Sequence, residues 1–184
     1  MTGFVKKAES DSSGDMIKLK IPNKEVASIF QETVVNLFID TIEVGKQRAL
    51  MDAFWRGDDE AVGKALSDLL WDTISYNDYH ENYYHAFMTG VFVGLGYSVD
   101  SNKESGLGRP DIVLKDKRRR RALIIEAKRS VKASEMERDA RAALEQIDAM
   151  RYDEGLDGYE QVLRYGVAFY KKQAAALSTL GGDK

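Results

Sequence analysis

Gly108-Arg109-Pro110-Asp111-Ile112-Val113-Leu114, a tip from Lys115 to Arg121, and Ala122-Leu123-Ile124-Ile125-Glu126-Ala127-Lys128 form the stretch that decides how this chain folds. Ile112 to Leu114 and Leu123 to Ile125 are short aliphatic runs, bounded by a proline on one side and a charge cluster on the other. That composition predicts two adjacent strands joined by a basic hairpin. Asp111 stands at the mouth of the first strand. Side chains alternate faces along a strand, so Glu126 and Lys128 project together while Ile125 and Ala127 point the other way. Two carboxylates and one ammonium are thereby expected at the ends of neighbouring strands, converging on one small volume.

Two carboxylates brought together repel unless something neutralises them. A divalent cation does so, and hard Mg2+ is held by one or two carboxylates with water and substrate phosphate completing its shell. Such an ion clamps a phosphodiester and makes water more acidic. A neighbouring lysine orients the attacking water and holds charge on the phosphate. Phosphodiester hydrolysis is the chemistry these residue types imply.

The motifs around the hairpin carry a family resemblance. Asp111 precedes Glu126 by fifteen positions, with Lys128 two further on and Pro110 ahead, and this resembles the PD-(D/E)XK motif of restriction-endonuclease-like nucleases. The wider text is more specific. Tyr79-His80-Glu81-Asn82-Tyr83-Tyr84-His85-Ala86-Phe87, Ser101 to Gly106, Gly108 to Asp111, Ile125 to Lys128, Ala143 to Ile147 and Tyr165 to Phe169 follow in order. Together they resemble the nuclease-like domain found behind an AAA-ATPase-like domain in many bacterial proteins, and Leu19 to Val26 resembles the segment joining the two.

The resemblance implies an α/β fold: a restriction-endonuclease-like mixed sheet flanked by helices, in the order helix, three strands, helix, strand, with a helical N-terminal annex. It implies a metal-dependent nuclease using Mg2+ or Mn2+. Asp111 and Glu126 would be the metal ligands, with the carbonyl of Ala127 assisting, and Lys128 would position the water. Glu81 matches an acidic residue that the family carries near the active site, although the helix dipole favours a first-turn glutamate in any case. Gln146 is implied to point toward the metal. Related exonuclease-type enzymes pair such a glutamine with a tyrosine four residues later, where this chain has Met150 and an off-register Tyr152. Expected partners are DNA, with RNA as the alternative, an AAA-ATPase-like domain in cis or in trans, and a second copy of the chain. The rival function is a catalytically silent nucleic-acid-binding or ATPase-coupled module with the same fold.

Composition narrows the classes further. The chain has 184 residues, no cysteine and a net charge of −3. Disulfides, thiolate zinc sites and cysteine nucleophiles are excluded together, which is compatible with the cytoplasm. No apolar run reaches the roughly 20 residues of a membrane span, so no membrane partner is expected. Residues 1–100 carry 9 Lys/Arg against 16 Asp/Glu, a net of −7, and residues 101–184 carry 18 against 14, a net of +4. The positive half is the half with the motif, and local field steers a polyanion more than the global sum. Arg109, Arg129, Lys132, Arg119 and Arg120 are candidate phosphate contacts. For the tip that holds the last two, a merely solvated hairpin end is the first reading.

Four segments are expected: 1–22 as a linker or hairpin, 23–76 as the helical annex, 77–180 as the nuclease-like core and 181–184 as a frayed tail. Gly3 to Glu9 and Met16 to Ile21 are predicted to pair across Asp11-Ser12-Ser13-Gly14, a turn composition, with a loose tail as the alternative. Helices are predicted from Asn23 to about Val44, over Leu50 to Trp55, after a cap at Asp58 or Asp59, and over Tyr79 to Leu95. Ser134 and Glu137 form the S-x-x-E pattern of a capping box, opening a helix to about Met150. Arg164 to Tyr170 reads as a buried strand and Ala174 to Leu180 as a strand or helix. With two histidines only, a His-based metal cluster is not expected, and His85 reads as a half-buried hydrogen-bonding residue. Ser105 lacks the G-x-S-x-G frame of an esterase elbow. G-x-x-x-x-G-K-[ST] is absent, so an ATPase is expected outside this sequence.

Overall fold

The computed structural model describes residues 6–10, 17–20, 44–73, 81–97, 99–100 and 107–181. The helix predicted from Asn23 lies outside these residues. The terminal hairpin is present: β1 (Lys6–Ser10) pairs antiparallel with β2 (Ile17–Lys20).

α1 (Val44–Arg56) buries Gln47, Leu50, Met51 and Phe54, the i, i+3, i+4, i+7 pattern of one helical face. It stops at Gly57, whose φ of 71° is in the left-handed region. Gly57 N–H donates to the Phe54 carbonyl at 3.2 Å and Asp58 N–H to that of Ala53 at 3.1 Å, a Schellman ending. The next residue begins the following helix. Asp58 Oδ1 accepts the Ala61 N–H at 3.0 Å, so Asp58, and not Asp59, caps α2 (Asp59–Thr73).

α3 (Glu81–Gly94) leads into a five-stranded sheet. Its strands are β3 (Val99–Asp100), β4 (Ile112–Asp116), β5 (Arg121–Arg129), β6 (Gln161–Tyr170) and β7 (Gln173–Gly181), in spatial order 3-4-5-6-7. Only β5 and β6 are parallel, so a crossover must join them, and α4 (Met136–Ala149) supplies it. This is the mixed sheet between helices of a restriction-endonuclease-like α/β fold.

The sheet is covered on both faces. Leu123, Ile125 and Ala127 of β5 join Leu50, Phe54, Leu66, Phe87 and Phe92 in the core shared with α1, α2 and α3. Ala122 and Ile124 turn to the other face with Ile147, Tyr152 and Leu156. Glu126 and Lys128 belong to this second set by alternation, so they look toward α4. Tyr84 stacks on Phe169 at 4.5 Å and donates its hydroxyl to the Lys171 carbonyl at 2.8 Å, fastening α3 to the turn after β6. Burial raises the Tyr165 hydroxyl to about 12, and it donates to the Phe54 carbonyl at 2.9 Å.

Both sheet edges are managed. β3 is two residues long, and α2 runs along β7. There the Ala174 N–H donates to Ser67 Oγ at 2.9 Å and the Ser178 N–H to Asp59 Oδ2 at 3.1 Å. A helix over an edge removes the row of unpaired donors that would recruit another chain. This gives α2 a task beyond filling the core.

One expectation is corrected. Ser134 and Glu137 make no capping box: residues Ala133–Glu135 form a 3-10 turn, α4 begins at Met136 after Glu135, and no side chain caps it. The extra tight turn moves the helix start one residue on, so Glu137 sits at the second helical position and not the third that a capping box with Ser134 requires. The segment left open as strand or helix, Ala174 to Leu180, is strand.

α4 lies against β6 at Gly166, where a Cβ would fall 1.9 Å from the Ala140 carbonyl oxygen and 2.6 Å from the Leu144 nitrogen. Both are backbone atoms, so the helix itself would have to move. Gly166→Ala is expected to cost about 3 kcal/mol or more by overpacking. Ser67→Ala, which strips the Ala174 N–H of its acceptor, is expected to cost about 1–3 kcal/mol. Thermal melting of the two variants beside the parent chain checks both values.

Candidate active site

β4 stops pairing with β5 at Ile112, opposite Ile125. Pro110 has no N–H to continue the ladder, and side chains take over from backbone. Ala127 N–H donates to Asp111 Oδ2 at 2.9 Å, and Asp111 N–H donates to Glu126 Oε2 at 3.4 Å. Each strand thus gives an N–H to the carboxylate of the other, and the two acids meet at the end of β4. The convergence expected of Asp111 and Glu126 is present. Within a strand residue, N–H and C=O point to the same edge, so the Ala127 carbonyl also faces the space beyond the end of β4.

Glu126 is buried, and Lys128 follows it on the same face. Gln146 on α4 stands between them. Its Nε2 donates to Glu126 Oε1 at 2.5 Å and its Oε1 accepts from Lys128 Nζ at 2.7 Å. The amide can take only this orientation, because the flipped one would set oxygen against carboxylate and NH2 against ammonium. Gln146 therefore points into the site as the resemblance implied.

Two further residues complete the surroundings. His85 Nε2 lies 2.8 Å from the Asp111 carbonyl oxygen, and since a carbonyl only accepts, Nε2 carries the proton. His85 is the half-buried hydrogen-bonding residue expected, bonded to the backbone of the first acid. Asp139 sits seven residues before Gln146, on the same helical face. The Ser130 hydroxyl and then the Arg138 guanidinium hold its carboxyl below the usual carboxylate range, and Lys128 acts in the same direction. Sequence reading missed Asp139, although the i, i+7 spacing from Gln146 was a usable signal.

Among the described residues no group of three His, Cys, Asp or Glu side chains forms a metal cluster. The oxygen donors that converge are the two carboxylates and the Ala127 carbonyl edge. Asp111 Oδ1 takes no hydrogen bond from any described residue.

A model of the PD-(D/E)XK nuclease superfamily matches residues 79–178, more than half of the chain. The chain belongs to this superfamily. No curated protein matches it. The matched span holds Asp111, Glu126, Lys128, Gln146 and His85, every residue of the network just described.

The remaining candidates of this PD-(D/E)XK chain separate by position. Glu81 opens α3 one turn before His85, and its side chain is outside the described set. Arg109, Arg129 and Lys132 are exposed at the carboxylate end of the sheet. Arg119 and Arg120 are at the other end, roughly 17 Å along β5 from Glu126 at about 3.3 Å per residue. They are also engaged: Arg119 with Asp116 at 3.6 Å, Arg120 with Glu160 at 2.7 Å. Arg121 pairs with Asp116 at 3.1 Å and lies over the Trp55 ring at 4.0 Å. Burial alone would raise the Asp116 carboxyl, but the Arg119 N–H and Arg121 outweigh it and hold it below its ordinary value. Tyr152 is off the four-residue spacing from Gln146. It is buried against Gly108, where a Cβ would meet its hydroxyl oxygen at 3.1 Å.

Asp111→Asn keeps an oxygen for the Ala127 N–H and removes one of two adjacent negative charges, so its metal-free stability is expected to equal or exceed the parent's. Asp111→Ala leaves that N–H without its acceptor and is expected to lose about 1–3 kcal/mol. Denaturant unfolding in EDTA distinguishes the pair.

Proposed function

We propose that this chain is a divalent-metal-dependent nuclease that hydrolyses phosphodiester bonds, DNA being the preferred substrate. The observation that carries the reading is the mutual N–H exchange at the end of β4, which holds Asp111 and Glu126 together with Lys128 on the same strand face. Oxygen-only donors fit a hard cation, and Mg2+ characteristically takes one or two carboxylates and leaves the rest of its shell to water and phosphate. Asp111, Glu126 and the Ala127 carbonyl would hold it, with Glu81 as a further acid from α3. When bound, Mg2+ or Mn2+ supplies Lewis-acid polarisation of the phosphate and a more acidic water.

The chain's own groups do the rest. Lys128 donates hydrogen bonds to the attacking water and to a phosphate oxygen, placing the first and stabilising charge that grows on the second. Gln146 keeps Lys128 and Glu126 apart while bonding both, so the ammonium is not drawn into a direct ion pair that would close the site. His85 fixes the backbone of Asp111 and so the aim of its carboxylate. Arg109, Arg129 and Lys132 offer positive charge to the flanking phosphates, contacts that are independent of sequence and sensitive to salt. The likeness of residues 19–26 and of the ordered motifs to domains behind AAA-ATPase-like domains supports an ATPase partner, in cis or in trans.

Plasmid, linear duplex and single strands incubated with the purified chain are expected to be cut with Mg2+ or Mn2+ and left intact in EDTA. Lys128→Ala is expected to slow cutting by about 10²–10³, the usual cost of removing one electrostatic donor, and Asp111→Asn to abolish it. Binding without cutting under any of these ions would overturn the enzymatic reading in favour of a silent module.

A further inference from the structure

The network around Glu126 has an apolar neighbour that the nuclease reading does not use. Leu107 N–H donates to the Met150 carbonyl at 2.8 Å, joining the approach to Asp111 with the end of α4. Both side chains point outward: Leu107 is 73% exposed and Met150 38%. Large apolar side chains left in water invite an occupant when they border a site. Each adjoins one side of it: Leu107 is four residues before Asp111, and Met150 is one helical turn after Gln146, with its N–H on the Gln146 carbonyl at 3.0 Å. Tyr152 packs beneath at Gly108, so the pair rests on a buried support.

We propose that Leu107 and Met150 form a ledge receiving the face of an unpaired nucleobase beside the scissile phosphate, which gives the enzyme a preference for single strands and frayed ends. This rests on the nuclease reading and names its substrate class. The chemistry selects the occupant. Leu and Met side chains offer no donor or acceptor with which to read base edges, so their contact is with a base face. Faces are available only where a base is unstacked, and apolar side chains at such places hold or wedge bases in other nucleic-acid complexes. Charge agrees with it. Arg129 and Lys132, exposed where β5 ends, make no ion pair with a described residue and are suited to the backbone of the same strand.

The experiment measures anisotropy of labelled single-stranded, forked and blunt duplex DNA with the full chain in EDTA, and cutting of the same DNAs in Mn2+. The parent is expected to favour the single strand and the fork. L107S/M150S is expected to lose about tenfold on those two and nothing on the blunt duplex, within the range seen for lost base-face contacts. R129A/K132A is expected to weaken all three alike and flatten the salt dependence. Both sets are surface changes, and unchanged melting temperatures confirm folding. Equal binding of all three DNAs by the parent, or an unaltered preference in L107S/M150S, overturns the ledge while leaving cutting intact. A self-association abolished by L107S/M150S, with DNA preference retained, overturns it in favour of a second copy of the chain. Ledge-dependent binding with no cutting in any metal overturns the nuclease reading alone, and absence of both binding and cutting overturns the two together.

Discussion

The end of β4 is where this structure is constrained most tightly. A strand that stops leaves its neighbour's N–H groups without partners, and a buried unpaired N–H costs about 1–3 kcal/mol. Here the missing backbone acceptor is replaced by a side chain: the Asp111 carboxylate takes the Ala127 N–H, and Glu126 takes the Asp111 N–H in return. The fold thus needs an acceptor at position 111 for its own sake. The proposed chemistry would need the same group charged and close to a second carboxylate. One pair of hydrogen bonds serves both needs, holding the two acids at the same end of the sheet.

Holding them together would be unfavourable if their remaining oxygens faced only each other. α4 relieves this by presenting Gln146 Nε2 to Glu126, and it can come near enough only because β6 has no side chain at Gly166, the residue in register with Glu126. Close approach of helix to sheet and polar contact at the site are therefore one feature. The far rim follows the same logic. α2 does for the β7 edge what Asp111 does for Ala127, supplying Ser67 and Asp59 where no strand pairs.

Much of this was legible in the residues. Period-2 alternation put Glu126 and Lys128 on one face and Ile125 and Ala127 on the other, and the core clusters divide that way. Asp58 followed Gly57 closely enough for one turn to end α1 and cap α2. Other parts were hidden for physical reasons. Ser134 and Glu137 have the spacing of a capping box, but spacing cannot show that a 3-10 turn will take up the preceding residues. Ala174 to Leu180 has neither strong period, so only pairing with β6 decides it as strand. Asp139 shares a helical face with Gln146 by spacing alone, but the influence of Lys128 on it shows only once β5 is packed on α4.

The basic tip shows how composition misleads about where a field acts. Lys115 to Arg121 holds six basic residues and one acid, and it supplies more than the +4 net charge of the C-terminal half. Yet Arg119 and Arg121 share Asp116, Arg120 takes Glu160, and Arg121 lies on Trp55, all at the end of the sheet away from the carboxylates. Charge paired at short range contributes little potential beyond a Debye length of about 8–10 Å, and the tip is roughly twice that far from Glu126 along the strand. On the proposed reading, the positive charge offered to a phosphate backbone near Asp111 would come instead from the exposed Arg129 and Lys132, which make no ion pair with a described residue. Few cations beside two acids make a weak local field, so short-range contacts, and not long-range attraction, would have to discriminate among strands if the chain acts as proposed.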